Sequence, residues 1–288
     1  MGNALLMTSI EQGLIFSVLA MGLYISYKVL DIADLSVEGS FPLGAFIFAV
    51  LSSMGVNPVL AMLVAFIGGL IAGLITATLF IKLKITPLLS GILTLNILYS
   101  INLAVGLGKV NISLFSSPII FGDDKMMNLL ILFAIVVVIK IILDLFFKTE
   151  MGYLLVATGD NEILVRSLGQ NSDKYKILGL MLSNGLVSVA GALMAQSQKF
   201  ADANMGVGII VYALASIIIG DTILRNSQKM KGTLRAIIGA IIYKLVWGFA
   251  LQIGINANYL RATTSIIVIV FIAYNNIELG RKLLSKKK

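Results

Sequence analysis

Cysteine and histidine are both missing from this 288-residue chain. Their absence removes disulfides, thiol nucleophiles and the usual soft metal ligands, and it says little about redox compartment. Charged residues are sparse, 12% of the chain against 58% hydrophobic, which excludes an ordinary soluble domain. There is no GxxxxGKS/T phosphate loop, so any nucleotide energy must come from another polypeptide. Gly106-Leu107-Gly108 lacks the strand–turn–helix setting of a dinucleotide site and carries no weight. Residues 1–13 hold neither a basic n-region nor a small-residue cleavage site, so the first apolar span is expected to be retained.

What the chain does have is apolar runs of about 20 residues, the length that crosses a bilayer. Spans are expected at 14–30, 59–81, from Thr86-Pro87 onward, 128–147, 177–196, 236–252 and 259–274. Two shorter runs, 41–53 and 209–220, fall between them. The expected fold is all-α and polytopic: one membrane domain over residues 1–288, with about eight to ten transmembrane or half-membrane helices. The net charge of +8 invites a nucleic-acid reading, but topology explains it better. With residues 148–176 placed in the cytoplasm, sixteen of the 22 basic residues fall on that side, from Lys28 through Arg225, Lys229 and Arg235 to the tail 281–288. Only Lys109, Lys125, Lys199 and Arg261 fall on the other. That bias sets the orientation, puts the C-terminus inside, and directs the basic residues to anionic lipid and not to nucleic acid.

Several residues stand out within the spans. Ala61, Ala65, Gly69, Gly73 and Ala77 recur at every fourth position, a stripe that lets another helix approach backbone to backbone. Ser90, Thr94, Asn96, Ser100 and Asn102 make one span unusually polar, and Asn184, Ser188, Ala192 and Gln196 share one helix face. These hydrogen-bonding groups either line a solute path or glue helices together, and the residues alone leave both readings open. Glu38, beside Gly39-Ser40, either meets the ammonium of an amino acid or serves as part of a helix cap. Lys244 lies mid-span, where an ammonium must face protein or water; a backbone carbonyl or a carboxylate such as Glu38 is its expected contact. Lys140 and Asp144, four apart, read as a self-neutralising structural pair. The stretches 34–40 and 202–208 each join an acid (Asp34, Asp202) to a glycine turn before a short apolar run. They are expected on opposite membrane faces as an inverted pair, the usual pointer to a transporter's central path.

The longest polar interruption is residues 148–176. Within it Gly159 is expected to break the chain and Asp160 or Asn161 to cap a short helix. Glu162 and Arg166 form a favourable i,i+4 pair, Ile163, Leu164, Val165 and Leu168 offer apolar contact, and Gly169 ends the helix. At these residues the chain resembles the permease subunits of ABC importers of the branched-chain amino acid permease type, whose cytoplasmic loop reads T-x-x-G-x-x-x-x-A-x-G-x-N-x-x-x-A-R-x-x-G. Thr149, Gly152, Ala157, Gly159, Asn161, Arg166 and Gly169 match, while Val165 stands where a small Ala is usual. Residues 22–45 and 183–208 are also similar, pointing to the subgroup of amino-acid permeases served by a lipoprotein binding subunit, some assigned to tryptophan or tyrosine.

The resemblance implies a type II importer fold and a coupling helix that seats in a separate ATPase subunit, with Gly152, Gly159 to Glu162, Leu164 and Arg166 to Gly169 (Ser167 and Leu168 among them) as the coupling residues. It implies two cytoplasmic ATPases, an external binding lipoprotein, a second permease copy, a small-molecule solute, and a bacterial inner-membrane location. No cofactor is expected on this chain; ATP and Mg²⁺ belong to the ATPase. Candidate path residues are Glu38, Ser40, Asn96, Asn184, Ser188, Gln196, Asp202 and Lys244. Two other classes compete: an ion-coupled secondary transporter, and a prenyltransferase-like membrane enzyme suggested by Asp31-x-x-Asp34-x-x-x-Glu38.

Overall fold

The computed structural model describes residues 2–224 and 230–254, with isolated positions between 262 and 273. The expected last span at 259–274, the basic tail, Arg225, Lys229, Arg261 and the side of the C-terminus lie outside the described residues. The elements in order are α1 (Gly2–Leu23), a π-helical turn (Tyr24–Val29), α2 (Val37–Ser53), α3 (Pro58–Ile81), α4 (Pro87–Val105) and β1 (Asn111–Ser113). There follow α5 (Lys125–Phe146), α6 (Glu150–Asp160), α7 (Glu162–Ser167), α8 (Ser172–Gln198), β2 (Phe200–Asp202), α9 (Ile209–Ile223) and α10 (Gly232–Gln252). Among the described residues six helices are long and apolar enough to cross a membrane, and α2 and α9 are shorter apolar helices.

Local chemistry sets most helix starts. Asn57 accepts the Val59 amide ahead of Pro58, Asp124 accepts that of Met126, and Asn171 that of Asp173. Thr86 occupies the N-cap position of α4, but its side chain makes no capping bond there. Fixed φ at Pro87 starts that helix instead.

The core is built around α8, which packs on α1, α2 and α3. Ala61, Ala65, Gly69, Gly73 and Ala77 are all buried, as the stripe predicts. A Cβ on Gly69 would run into the Asn184 carbonyl, and one on Gly73 into that of Leu180, so α3 lies backbone against backbone on α8.

Two ends of the bundle are distinguishable. At the basic end, Lys28 pairs with Asp221 at 3.1 Å, and Lys140 and Lys231 pair with Asp144 at 2.6 and 3.1 Å. Thr233 Oγ1 adds a bond of 2.8 Å to Asp144, so the expected Lys140–Asp144 pair also ties α5 to α10. At the other end β1 and β2 form an antiparallel ribbon with Asn111 opposite Asp202, joining two loops far apart in sequence. Three-residue strands leave no periodicity to read, and the ribbon is absent from the sequence expectations.

Candidate functional site

The loop between α5 and α8 contains two helices, not one. Gly159 does not break the chain: it lies inside α6, where a Cβ would strike the Val29 carbonyl, so its smallness serves close packing on the π-helical turn. Nor is Asp160 the cap, being the last residue of α6. The break falls at Asn161, in extended backbone, whose Oδ1 accepts the Leu164 amide at 3.0 Å. The amide of buried Gly152 donates to Thr149 Oγ1 at 3.2 Å. Helix α7 closes with Gly169 at φ +77; its amide bonds the Arg166 carbonyl at 3.0 Å and the Gln170 amide that of Val165 at 3.2 Å, a Schellman ending.

Arg166 does not project as a free docking cation. Its guanidinium bonds Glu162 at 2.7 Å, Asp173 at 3.3 Å and Ser172 Oγ at 2.9 Å. Glu162 also receives Ser172 Oγ at 3.0 Å and Lys176 Nζ at 2.6 Å, so the cluster staples α7 to the start of α8. The Lys176 bond first, then Ser172 and Arg166, outweigh partial burial and hold the Glu162 carboxyl down at about 2. Ser167 Oγ bonds the Leu164 carbonyl within the helix. Val165 is fully buried beneath α7, while Ile163, Leu164 and Leu168 are 80%, 51% and 65% exposed. A braced helix thus presents three aliphatic side chains outward.

The stretches 34–40 and 202–208 meet, contrary to the expectation of opposite faces. Glu38 Oε1 accepts the Gly208 amide at 3.0 Å, and Gly206 lies against the Glu38 carbonyl and Pro42. From this junction α2 runs toward the ribbon end, where Ser52 bonds the Pro118 carbonyl, and α9 runs toward the basic end, where Asp221 pairs Lys28. Two short helices therefore start together and diverge; loops of mixed Gly and acid show that they break, not where they meet. Glu38 is half-buried, in a small cavity with Tyr99, Asn102 and Asn204. The Asn102 amide donates to the Gly39 carbonyl at 3.3 Å, and its Oδ1 has no partner among the described residues.

The Asn184 face is packed shut. Asn184 Oδ1 accepts Ser40 Oγ at 2.6 Å and Ser36 Oγ at 3.1 Å; its Nδ2 donates to Asp34 Oδ2 at 2.8 Å and to the Leu180 carbonyl at 3.0 Å. Ser188 Oγ donates to the Ala65 carbonyl at 2.6 Å, and Gln196 Oε1 accepts the Ile120 amide at 3.0 Å. Ser40, Asn184, Ser188 and Gln196 are each 0% exposed, and their polar atoms bond between elements of one chain, the arrangement expected of groups that hold helices together. Asn96 and Ser100 differ, being exposed on the apolar outer face of α4.

Lys244 is 5% exposed and nowhere bonded to Glu38. Its Nζ reaches Gln12 Oε1 at 3.3 Å and lies 3.8 Å from the ring centroid of Phe16, 5.1 Å from Trp247 and 5.7 Å from Tyr212. The ammonium borders a cavity of about 370 Å³ that Asp202 also lines. Asp202 Oδ1 accepts the Asn204 amide at 2.8 Å and Oδ2 the Asn111 side chain at 3.3 Å.

Asp31, Asp34 and Glu38 do not converge as a diphosphate-binding motif would. Asp31 is exposed, Asp34 is buried against Ser36 and Asn184, and Glu38 turns to Gly208. Among the described residues no group of three acid, His or Cys side chains is placed to share a metal.

A family model described as branched-chain amino acid transport system / permease component matches residues 5–274. The tyrosine transport system permease protein of Clostridioides difficile (strain R20291) is 45% identical over 271 residues, covering 94% of this chain and 91% of that one. An uncharacterized protein, RP368 of Rickettsia prowazekii (strain Madrid E), is 35% identical over 274 residues, 92% of this chain and 96% of that one. Among solved structures, PsaBC from Streptococcus pneumoniae in complex with Fab aligns over 84% of this chain and 88% of that one, at 16% identity and a TM-score of 0.43. The family match spans nearly every apolar helix described above, and the chain belongs to the branched-chain amino acid transport permease family: an all-α, multi-pass membrane permease with no catalytic centre or cofactor of its own.

Proposed function

We propose that this chain is the membrane subunit of an ATP-driven amino-acid importer, driven through residues 148–176 by a separate ATPase. The observation that carries the reading is α7: a helix too short to be stable alone, braced by an ion-pair cluster, with Ile163, Leu164 and Leu168 exposed at its tip. Apolar side chains on a rigid mount suit seating in another protein's groove. The basic end then faces the cytoplasm of a bacterial inner membrane, in keeping with the lysine and arginine bias. ATP and Mg²⁺ reside on the ATPase, and a binding lipoprotein delivers solute at the ribbon end.

The solute is an amino acid, with aromatic ones preferred, in line with the name of the 45%-identical relative. Residues 1–288 form one membrane domain that works as two copies. The exposed face of α4 supports this, because Asn96 and Ser100 among Leu89, Leu93 and Ile97 are costly against lipid and acceptable against a second copy. In this reading Glu38, Asn96 and Tyr99 line the path between copies, Glu38 offering its carboxylate to a passing ammonium. The test is uptake by proteoliposomes holding permease, ATPase and lipoprotein. ATP-dependent import of tyrosine or phenylalanine supports the reading; import driven by an ion gradient without ATP overturns it in favour of a secondary transporter.

A further inference from the structure

Lys244 is the feature that packing and coupling do not absorb. An ammonium has three hydrogens to donate, yet this one, 5% exposed, has among the described residues a single amide oxygen within reach, Gln12 Oε1 at 3.3 Å. Three aromatic rings approach it, and the Phe16 centroid at 3.8 Å gives cation–π attraction. Rings accept no strong hydrogen bond, however, so the cluster holds the charge in place without satisfying its donors. Helix packing alone does not call for a lysine here, because hydrophobic replacement of buried charged groups is often neutral or stabilising. The cavity beside it has a volume of about 370 Å³, near the lower end of the roughly 300–1,000 Å³ typical of small-molecule sites. Its walls combine the lysine, the aromatic rings of Phe16, Tyr212 and Trp247, and the carboxylate of Asp202.

We infer that this cavity, bordered by α1, α2, α8, α9, α10 and β2 within a single protomer, is a binding site for a zwitterionic aromatic amino acid. The solute carboxylate completes the shell of Lys244, and the side chain lies among Phe16, Tyr212 and Trp247. The ammonium turns toward Asp202, which keeps free lone pairs beyond its bonds to Asn111 and Asn204. The inference rests on the amino-acid importer reading and deepens it: each copy holds solute inside itself, apart from the surface it shares with its partner.

The chain has one tryptophan, and it lines the cavity, so selective tryptophan excitation of the purified full chain in lipid vesicles reads this site alone. L-Phenylalanine is expected to change that emission saturably. Phenethylamine, lacking the carboxylate, is expected to leave it unchanged. Lys244→Met should weaken phenylalanine binding by about thirtyfold or more, the loss typical of removing one partner of a buried charge pair, and Lys244→Arg should recover part of it. Asp202→Asn should weaken phenylalanine but not 3-phenylpropionate, a split that mere misfolding would not produce. A silent wild type, equal responses to phenylalanine and phenethylamine, or unchanged affinity in folded Lys244→Met overturns the inference. If the wild type imports phenylalanine with ATP while its tryptophan stays silent, the site is wrong and the importer reading stands. If the titration saturates but ATP drives no import, the reading falls and the site remains.

Discussion

Replacing Asn184 with Leu separates glue from path. The side chain accepts Ser40 Oγ at 2.6 Å and donates to Asp34 Oδ2 at 2.8 Å, linking α8 to the start of α2 and to the residues just before it. Losing the Ser40 bond costs about 1 kcal/mol, in line with interhelical bonds in membranes. Stranding a carboxylate oxygen of Asp34, which is 1% exposed, adds about 1–3 kcal/mol. The expected loss is therefore about 2–4 kcal/mol, read by SDS-titrated unfolding of the purified permease. Removing both partners in Asn184→Leu/Asp34→Leu should cost less than the sum of the single changes, because neither then leaves the other unpaired. Unchanged stability together with abolished uptake would refute the reasoning and return Asn184 to the solute path.

Three further outcomes follow from the same geometry. Gly69→Val should lower stability by about 1–3 kcal/mol or more, measured by the same unfolding titration, since its side chain would meet the Asn184 carbonyl. Arg166→Glu should place two carboxylates four residues apart and speed hydrogen exchange across residues 162–173, where a free docking arginine would leave exchange unchanged. Glu162 is depressed from 4.5 to about 2. Its staple is therefore fully present above pH 4.5 and lost only as pH falls through about 2, so exchange protection of α7 should be constant from neutral pH down to 4.5.

The bundle was legible in sequence wherever one physical rule acted alone. Apolar length marked the spans, and the four-residue stripe from Ala61 to Ala77 marked the contact of α3 because only small residues permit that approach. The loop was half legible: Asn161 and Gly169 cap α7 as their side-chain and backbone chemistry dictates. Gly159 misled because a glycine that breaks a helix and one that admits another backbone look identical in sequence. Arg166 was right as a partner of Glu162, while Ser172, Asp173 and Lys176 joined the cluster only through the fold of α8 onto α7. Long-range pairings such as Glu38 with Gly208, or Asn111 with Asp202, leave no local signature.

The absence of cysteine makes the coupling claim directly measurable, because a thiol introduced into this chain is the only one it carries. Ile163→Cys and Leu168→Cys at the tip of α7, and Met54→Cys, 74% exposed at the ribbon end, should each be treated with a thiol crosslinker in the assembled transporter. Joining of the ATPase at 163 and 168 and not at 54 is the predicted result. Crosslinking at 54, or none at 163 and 168 in a complex that still hydrolyses ATP in response to solute, would contradict it.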